Sequence, residues 1–165
     1  MKKTKVRCLQ ALLFIAAAVG LDQWTKILAV RHLYGSNPFV LIPGVLELRY
    51  LENRGAAFGM LQQQQMLFAV LTVIVLSGIV FLYLFRVPDT SRFLPLNLVL
   101  ISLAGGAIGN FIDRMRQGYV VDFIYFRLID FPIFNVADCF VSVAAVFLFI
   151  LILFFYKEED LKGIL

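Results

Sequence analysis

The sequence predicts an all-α membrane protein with four transmembrane helices and a small extracytoplasmic β platform. Hydrophobic residues make up 61% of the 165 residues and charged residues only 16%, and the mean hydropathy is +0.88. A soluble domain is roughly 45–50% apolar and about 25% charged. The composition therefore excludes an ordinary soluble globule and a disordered chain, and it favours a single integral membrane domain over residues 1–165.

Four apolar segments are long enough to cross a bilayer, which takes about 20 residues of helix. The predicted spans are residues 9–30, 66–85, 93–112 and 135–155. The second and third contain no charged residue. Because backbone polar groups in lipid must be paired within their own segment, we expect all four spans to be helical.

The distribution of basic residues predicts the orientation. Segments 1–7, 86–92 and 156–165 hold eight Lys and Arg in 24 residues, whereas segments 31–65 and 113–134 hold six in 57. Basic residues concentrate on the cytoplasmic side of membrane proteins. Both termini are therefore expected in the cytoplasm and the two long segments outside. The net charge of +4 then reflects topology and site arginines, and no nucleic-acid partner is expected.

The two outer segments carry strand patterns. Apolar and charged residues alternate over 46–50, which is typical of a half-buried strand. Residues 119–127 are rich in β-branched and aromatic residues. We expect these segments to form the platform, with an apolar face on the membrane surface.

Several polar residues lie at membrane depth, where ionisable groups are costly and are candidates for function. Asp22 and Lys26 are four residues apart in the first span, so they share a helix face and form either a local anchoring ion pair or part of a chemical site. Gly105 and Gly109 form a small-xxx-small pair, which allows close helix contact.

The outer end of the third span places Asn110, Asp113 and Arg114 on one helix face. Arg114 either binds a backbone carbonyl of a bound peptide or pairs with Asp113. Asn135 shares a face with the single acid of the fourth span.

Two acids are difficult to explain as structural residues. Asp122 lies in an apolar strand-like run and Asp138 inside the fourth span, and neither has a basic residue within four positions. If the fold brings them together, their charges repel, so one keeps a proton while the other stays ionised. Such a pair can activate water as a base and protonate a scissile carbonyl as an acid.

Other chemistries lack their residues. His32 is the only histidine, and there is no His-Glu-x-x-His or Cys-x-x-Cys pattern, so no metal site is expected. Cys139 has no assigned base and is interpreted as an inert thiol.

Five short motifs in chain order resemble those of the lipoprotein signal peptidases, also called type II signal peptidases. They are Asp-Gln-Trp-Thr-Lys at 22–26, Glu-Asn-Arg-Gly-Ala-Ala-Phe-Gly at 52–59, Gly-Asn-Phe-Ile-Asp-Arg at 109–114, Val-Val-Asp-Phe at 120–123 and Phe-Asn-Val-Ala-Asp at 134–138. The resemblance covers nearly the whole chain, and five motifs in order are far more specific than any one of them.

The resemblance implies an aspartic endopeptidase of the bacterial cytoplasmic (inner) membrane, with no metal or cofactor. It would remove signal peptides from prolipoproteins by cleaving before a diacylglyceryl-modified cysteine, near the outer leaflet. The catalytic dyad falls on Asp122 and Asp138.

The resemblance also implies roles for other residues and partners. The residues implied to contact substrate or cyclic peptide antibiotic inhibitors are Asn53, Asn110, Arg114 and Asn135. The residues expected to support the structure are Asp22, Lys26, Gly105, Gly109 and Asp113. The expected partners are a lipid-modified prolipoprotein and membrane lipid, and a monomer suffices because one chain supplies both acids.

Two other functions are compatible with the residues alone. A small proton- or ion-coupled transporter also uses intramembrane acids, although the chain has no internal repeat and its acids cluster at one end. A non-enzymatic scaffold would use Gly105 and Gly109 for helix contacts and would tolerate Asp→Asn changes.

Overall fold

A computed structural model describes residues 2–55 and 64–164. Within these residues, four helices are long and apolar enough to cross a membrane, at Lys5–Leu33, Met66–Arg86, Ser91–Gln117 and Val136–Phe155. Each overlaps one predicted span, so the predicted fold class of four membrane helices with a small sheet is confirmed.

The elements follow the chain in a simple order. Helix α1 covers Lys2–Leu33, strands β1 and β2 cover Phe39–Ile42 and Leu46–Asn53, and helix α2 covers Gln65–Phe81 with a π-helical turn to Arg86. The remaining elements are helix α3 at Leu94–Gln117, strand β3 at Val120–Phe126, helix α4 at Val136–Ile150 with a π-helical turn to Phe155, and a short helix α5 at Glu158–Lys162.

Helix α3 runs further than the hydropathy pattern predicts. The predicted span ends at residue 112, but the helix continues to Gln117 and ends where Gly118 adopts φ 75°. A left-handed glycine is a common helix terminator. Asp113 and Arg114 therefore belong to the helix and not to the outer segment 113–134, because hydropathy marks the edge of the apolar stretch and not the end of the backbone hydrogen bonding.

Glycines let α3 approach both α1 and α4 closely. A Cβ on Gly105 would lie 3.0 Å from the Cβ of Ala18, and one on Gly109 would lie 2.6 Å from Oδ2 of Asp22. Gly106, which the sequence pattern does not single out, is equally tight, since a Cβ there would lie 2.5 Å from the carbonyl oxygen of Ala137. The predicted close contact at Gly105 and Gly109 is present, and Gly106 also takes part in it.

The three strands form an antiparallel sheet in the order β1-β2-β3. Leu51 of β2 lies opposite Asp122 of β3, after an irregularity in the register between Leu48 and Leu51. Leu48 and Tyr50 pack against a buried cluster that includes Ala29 and Leu33 of α1. The platform is thus fixed to the end of α1, and these two apolar residues of β2 face protein.

Glu47 differs from the simple alternation. It is buried, and its Oε1 accepts a hydrogen bond from Nη1 of Arg127 at 2.7 Å. The carboxylate is tolerated because this ion pair compensates its charge.

The opposite end of the bundle is fixed by arginines. Arg7 donates to Oδ1 of Asn97 at 2.8 Å and its guanidinium lies 4.2 Å from the ring centre of Tyr83, joining α1, α3 and α2. Arg92 donates to Oδ2 of Asp160 at 2.7 Å, which holds α5 against the start of α3. Basic residues counted only as orientation signals are therefore also tertiary contacts.

The close contact at Gly106 yields a prediction about stability. Gly106→Ala should destabilise the protein by about 1–3 kcal/mol, because overpacking a tight contact has that cost, and the melting temperature in detergent should fall. Gly78→Ala is the matched control, since a Cβ there meets nothing within 4 Å. Equal melting temperatures for the two variants would contradict this picture of the α3–α4 contact.

Candidate active site

Asp122 is held in the middle of β3 and is 1% exposed. Its Oδ2 accepts a hydrogen bond from Nδ2 of Asn53, at the end of the neighbouring strand β2, at 2.8 Å. The antiparallel pairing of β2 and β3 therefore places an amide donor directly on this carboxyl group.

Asp138 is positioned by the start of α4. Asn135 is the N-cap of that helix: its side-chain oxygen accepts from the backbone N–H of Asp138 at 3.0 Å, and Oδ2 of Asp138 accepts from the backbone N–H of Asn135 at 3.2 Å. This reciprocal arrangement is a capping box, which satisfies two donors of the first helical turn. The motif Asn-Val-Ala-Asp thus fixes both side chains locally.

Asn135 also connects the two acids. It is fully buried, and its Nδ2 donates to Oδ1 of Asp122 at 2.5 Å and to Oδ1 of Asn110 at 3.2 Å. Nδ2 of Asn110 in turn donates to Oδ1 of Asp138 at 2.7 Å. Two asparagines from different helices therefore bridge the carboxyl groups.

Both acids line one cavity of about 1040 Å³ at the end of the bundle that carries the sheet. Asn53 and Arg114 lie in its wall, together with Cys139. Nη2 of Arg114 is 3.5 Å from the carbonyl oxygen of Gly55, and the guanidinium lies 4.9 Å from the ring centre of Phe68. The arginine directs its donors to a backbone carbonyl beside the acids.

Burial raises the pKa of Asp122 to about 7, and the nearby charge of Asp138 adds to this effect. Hydrogen bonds from Asn53 and Asn135 oppose the shift, because they stabilise the ionised carboxylate. Asp122 therefore titrates near neutral pH.

Behind the acids lies a buried ion network centred on Lys26, which is 3% exposed. Its Nζ lies 2.8 Å from Oδ2 of Asp22 and 2.9 Å from Oδ2 of Asp113. Asp22 also accepts from the backbone N–H of Ala137 at 2.9 Å. The predicted local pair of Asp22 and Lys26 is present, and it extends across α1, α3 and α4.

This network contradicts one of the two interpretations of Arg114, the pairing with Asp113, whereas the contact with a bound peptide stays a prediction. The carboxylate of Asp113 is occupied by Lys26, by Nε2 of Gln23 at 2.8 Å and by the backbone N–H of Val121 at 3.2 Å. Arg114 is directed instead to the cavity and the carbonyl of Gly55.

The other candidate groups are placed differently. His32 is exposed in the last turn of α1. Cys139 is a free thiol in the cavity wall. Over residues 2–55 and 64–164, no group of three or more His, Cys, Asp or Glu side chains is placed to hold a metal ion. Part of the second motif, residues 56–59, lies outside the described residues.

A protein-family model described as signal peptidase (SPase) II matches residues 14–154. The chain belongs to the signal peptidase II family. It is 47% identical over 146 residues to a lipoprotein signal peptidase of Streptococcus thermophilus, covering 88% of this chain and 92% of that protein. It is equally similar to the lipoprotein signal peptidase of Caldanaerobacter subterraneus, covering 87% of this chain and 96% of the other.

Solved structures agree with this assignment. A bacterial membrane enzyme determined by the in meso method at 1.9 Å resolution superposes with a TM-score of 0.77 at 33% sequence identity, covering 88% of this chain and 93% of that one. A second, at 2.3 Å, gives a TM-score of 0.77 at 32% identity, covering 87% of each chain. The protein is a multi-pass bacterial membrane protease, and these findings do not favour the transporter alternative.

Sequence reasoning about this signal peptidase missed the directions of its hydrogen bonds. The capping box was detectable, since Asn three residues before Asp at a helix start is its sequence pattern. The contact between Lys26 and Asn110, at 3.0 Å, joins residues 84 positions apart and has no local signal.

The ion network predicts that Asp22 contributes to stability and not to chemistry. Asp22→Asn removes one of the two carboxylates on Lys26, and loss of a buried partner is strongly destabilising, so the melting temperature should fall by several degrees. Turnover per folded enzyme should remain close to that of the parent, because Asp113 still pairs with Lys26.

Asp89→Asn, at an exposed position, is the matched control and should change neither quantity. Loss of turnover in folded Asp22→Asn, with the melting temperature unchanged, would contradict a structural role.

Proposed function

We propose that this peptidase removes signal peptides from diacylglyceryl-modified prolipoproteins, cleaving before the lipid-modified cysteine with Asp122 and Asp138 as an aspartic dyad. The observation that carries the proposal is the pair of carboxyl groups bridged by Asn135 and Asn110 at one cavity. The family assignment supports a protease, and we propose these acids as its general acid and base.

The proposed chemistry uses one proton shared by the dyad. The proposal assigns the proton to Asp122, whose pKa is raised to about 7, and the ionised form to Asp138. Asp138 takes a proton from a water molecule, whose oxygen attacks the scissile carbonyl, while Asp122 protonates the carbonyl oxygen. The product of this step is a gem-diol. Its C–N bond breaks as the proton on Asp138 passes to the leaving amine, and a diol proton returns to Asp122.

Substrate contacts are proposed for the polar wall of the cavity. Arg114 presents several N–H donors to a backbone carbonyl, and it already lies near that of Gly55. Asn53, Asn110 and Asn135 use amide hydrogens on the dyad or on each other. We infer that these asparagines hold the acids. Asn53 lies in the cavity wall and is proposed to contact the peptide as well, whereas Asn135 is fully buried behind the acids.

A route from the bilayer supports a lipid-modified substrate. Val143, in the membrane-spanning part of α4, lines the cavity and is 59% exposed. Phe131 also lines it and is 47% exposed. An acyl chain could reach the dyad laterally along this apolar rim.

The proposed orientation follows from the basic residues and the position of the site. With both termini in the cytoplasm, the sheet and the cavity lie at the outer leaflet of the cytoplasmic membrane. One chain supplies every group of the dyad, so a monomer is sufficient. Cyclic peptide antibiotics that occupy the same cavity would act as inhibitors.

Replacing either acid tests the dyad. Asp122→Asn and Asp138→Asn should each reduce cleavage of a lipid-modified prolipoprotein by about 10²–10⁴-fold or more, the contribution of general acid–base catalysis. Asp89→Asn is the charge-matched control at an exposed position. Cleavage is measured with purified variants whose melting temperatures show that they are folded, and near-normal activity of either dyad variant would overturn the proposal.

The pKa of Asp122 predicts the pH dependence of cleavage. Its carboxyl is protonated below about pH 7 and ionised above, so kcat/KM should fall as the pH rises through 7 because the general acid is lost. Asn53→Ala removes a hydrogen bond that lowers this pKa, so the decline should move to higher pH. A profile that stays flat from about pH 6 to 8.5 would exclude Asp122 as the general acid.

A further inference from the structure

Lys26 lies next to the proposed dyad without touching it. Its Nζ donates to Oδ1 of Asn110 at 3.0 Å, and Nδ2 of the same amide donates to Oδ1 of Asp138 at 2.7 Å. A single side chain therefore separates a buried cation from a proposed catalytic carboxyl.

The chemistry of lysine determines which way this amide points. An ammonium group has three N–H donors and no acceptor, so the atom of Asn110 that faces Lys26 must be the carbonyl oxygen. The NH₂ group is then on the other side and faces Asp138. If the amide turned over, its NH₂ would meet the ammonium group and its oxygen would meet the carboxylate, and both contacts would be repulsive.

A second donor reinforces this direction but does not determine it alone. Nδ2 of Asn135 also donates to Oδ1 of Asn110, at a longer 3.2 Å. The same NH₂ group donates at 2.5 Å to Asp122, so it is shared between two acceptors. Lys26 is the contact that carries a full charge, and charge-assisted hydrogen bonds are the stronger ones.

Lys26 is itself held rigidly in place. It is 3% exposed, and two carboxylates on different helices fix its ammonium group. Its other partner, Asn110, is on α3 at the depth where Gly109 touches Asp22. An ammonium group that moved away from the amide would therefore also have to leave these two carboxylates.

We propose that Lys26 is a positioning residue for peptide cleavage, which acts through Asn110 by orienting the amide that donates to Asp138. This inference rests on the proposed function, since it assigns a partner to one acid of the dyad. It goes beyond a supporting role in the fold, because it predicts an effect on the catalytic step in a protein that remains folded.

The test separates positioning from folding by using a charge-balanced variant. Lys26→Met alone leaves two buried carboxylates unpaired and is strongly destabilising. Lys26→Met/Asp113→Asn removes one positive and one negative charge, so the network keeps its net charge. Its reference is Asp113→Asn, which retains the contact of Lys26 with Asn110.

The expected result is a fall in kcat at unchanged KM. Relative to Asp113→Asn, the double variant should lose about tenfold to hundredfold in kcat, the range for a hydrogen bond made by a charged group. Gln23→Leu is the matched control, because Gln23 donates to Asp113 at 2.8 Å and to the carbonyl oxygen of Gly109 at 3.2 Å. It should lower the melting temperature and leave kcat within about twofold, the scatter of changes at independent sites.

A double-mutant cycle locates the effect. In proteins that also carry Asn110→Ala, adding Lys26→Met to Asp113→Asn should change kcat little, because the amide that Lys26 orients is gone. An equal fall in both backgrounds would overturn the proposal, as would an unchanged kcat in Lys26→Met/Asp113→Asn or a change confined to KM.

The outcome for Lys26 is distinguishable from the outcome for the dyad. If Asp138→Asn remains active, the dyad itself is wrong and the role of Lys26 falls with it. If Asp138→Asn is inactive and the cycle is additive, the dyad stands and only the positioning role of Lys26 fails. The parent enzyme and Asp113→Asn, assayed with the same lipid-modified prolipoprotein, provide the reference activity.

Discussion

The salt bridges and the hydrogen bond of the buried Lys26 ammonium group are the interactions on which the arrangement of the helices and of the acids depends. It pairs with Asp22 on its own helix and with Asp113 on α3, while Asp22 accepts from the backbone of α4 at Ala137. Charges inside a membrane protein are costly unless they are paired. The ammonium group has three partners within hydrogen-bond distance, so the network ties together three helices at the end of the bundle that carries the sheet.

Close helix packing makes this network possible. Gly105, Gly106 and Gly109 place the backbone of α3 where any Cβ would touch α1 or α4. With the helices at this distance, the short side chain of Asn110 spans the gap between Lys26 and Asp138. The tight contact thus serves the geometry of the site as well as the packing of the bundle.

The sheet supplies the other half of the proposed site. Asp122 is carried on β3, and the pairing with β2 brings Asn53 to it. Asn135 then joins the strand to the bundle, because it caps α4 and donates to Asp122 with the same side chain. The pKa of Asp122 rises to about 7 because strand and helices bury the carboxyl near a second acid. A group that titrates near neutral pH is suited to exchange protons during hydrolysis.

The sequence by itself determined the four spans and the two strand segments, and it singled out Asp122 and Asp138 as the proposed dyad. It could do so because hydropathy, alternation and local charge spacing are properties of neighbouring residues, and because five motifs occur in family order. Only the tertiary structure decided that α3 continues through Asp113 and Arg114, that Lys26 bridges helices, and that Asn135 and Asn110 link the acids. These contacts join residues far apart in the chain. Their hydrogen-bond directions depend on packing distances between helices that no local pattern encodes.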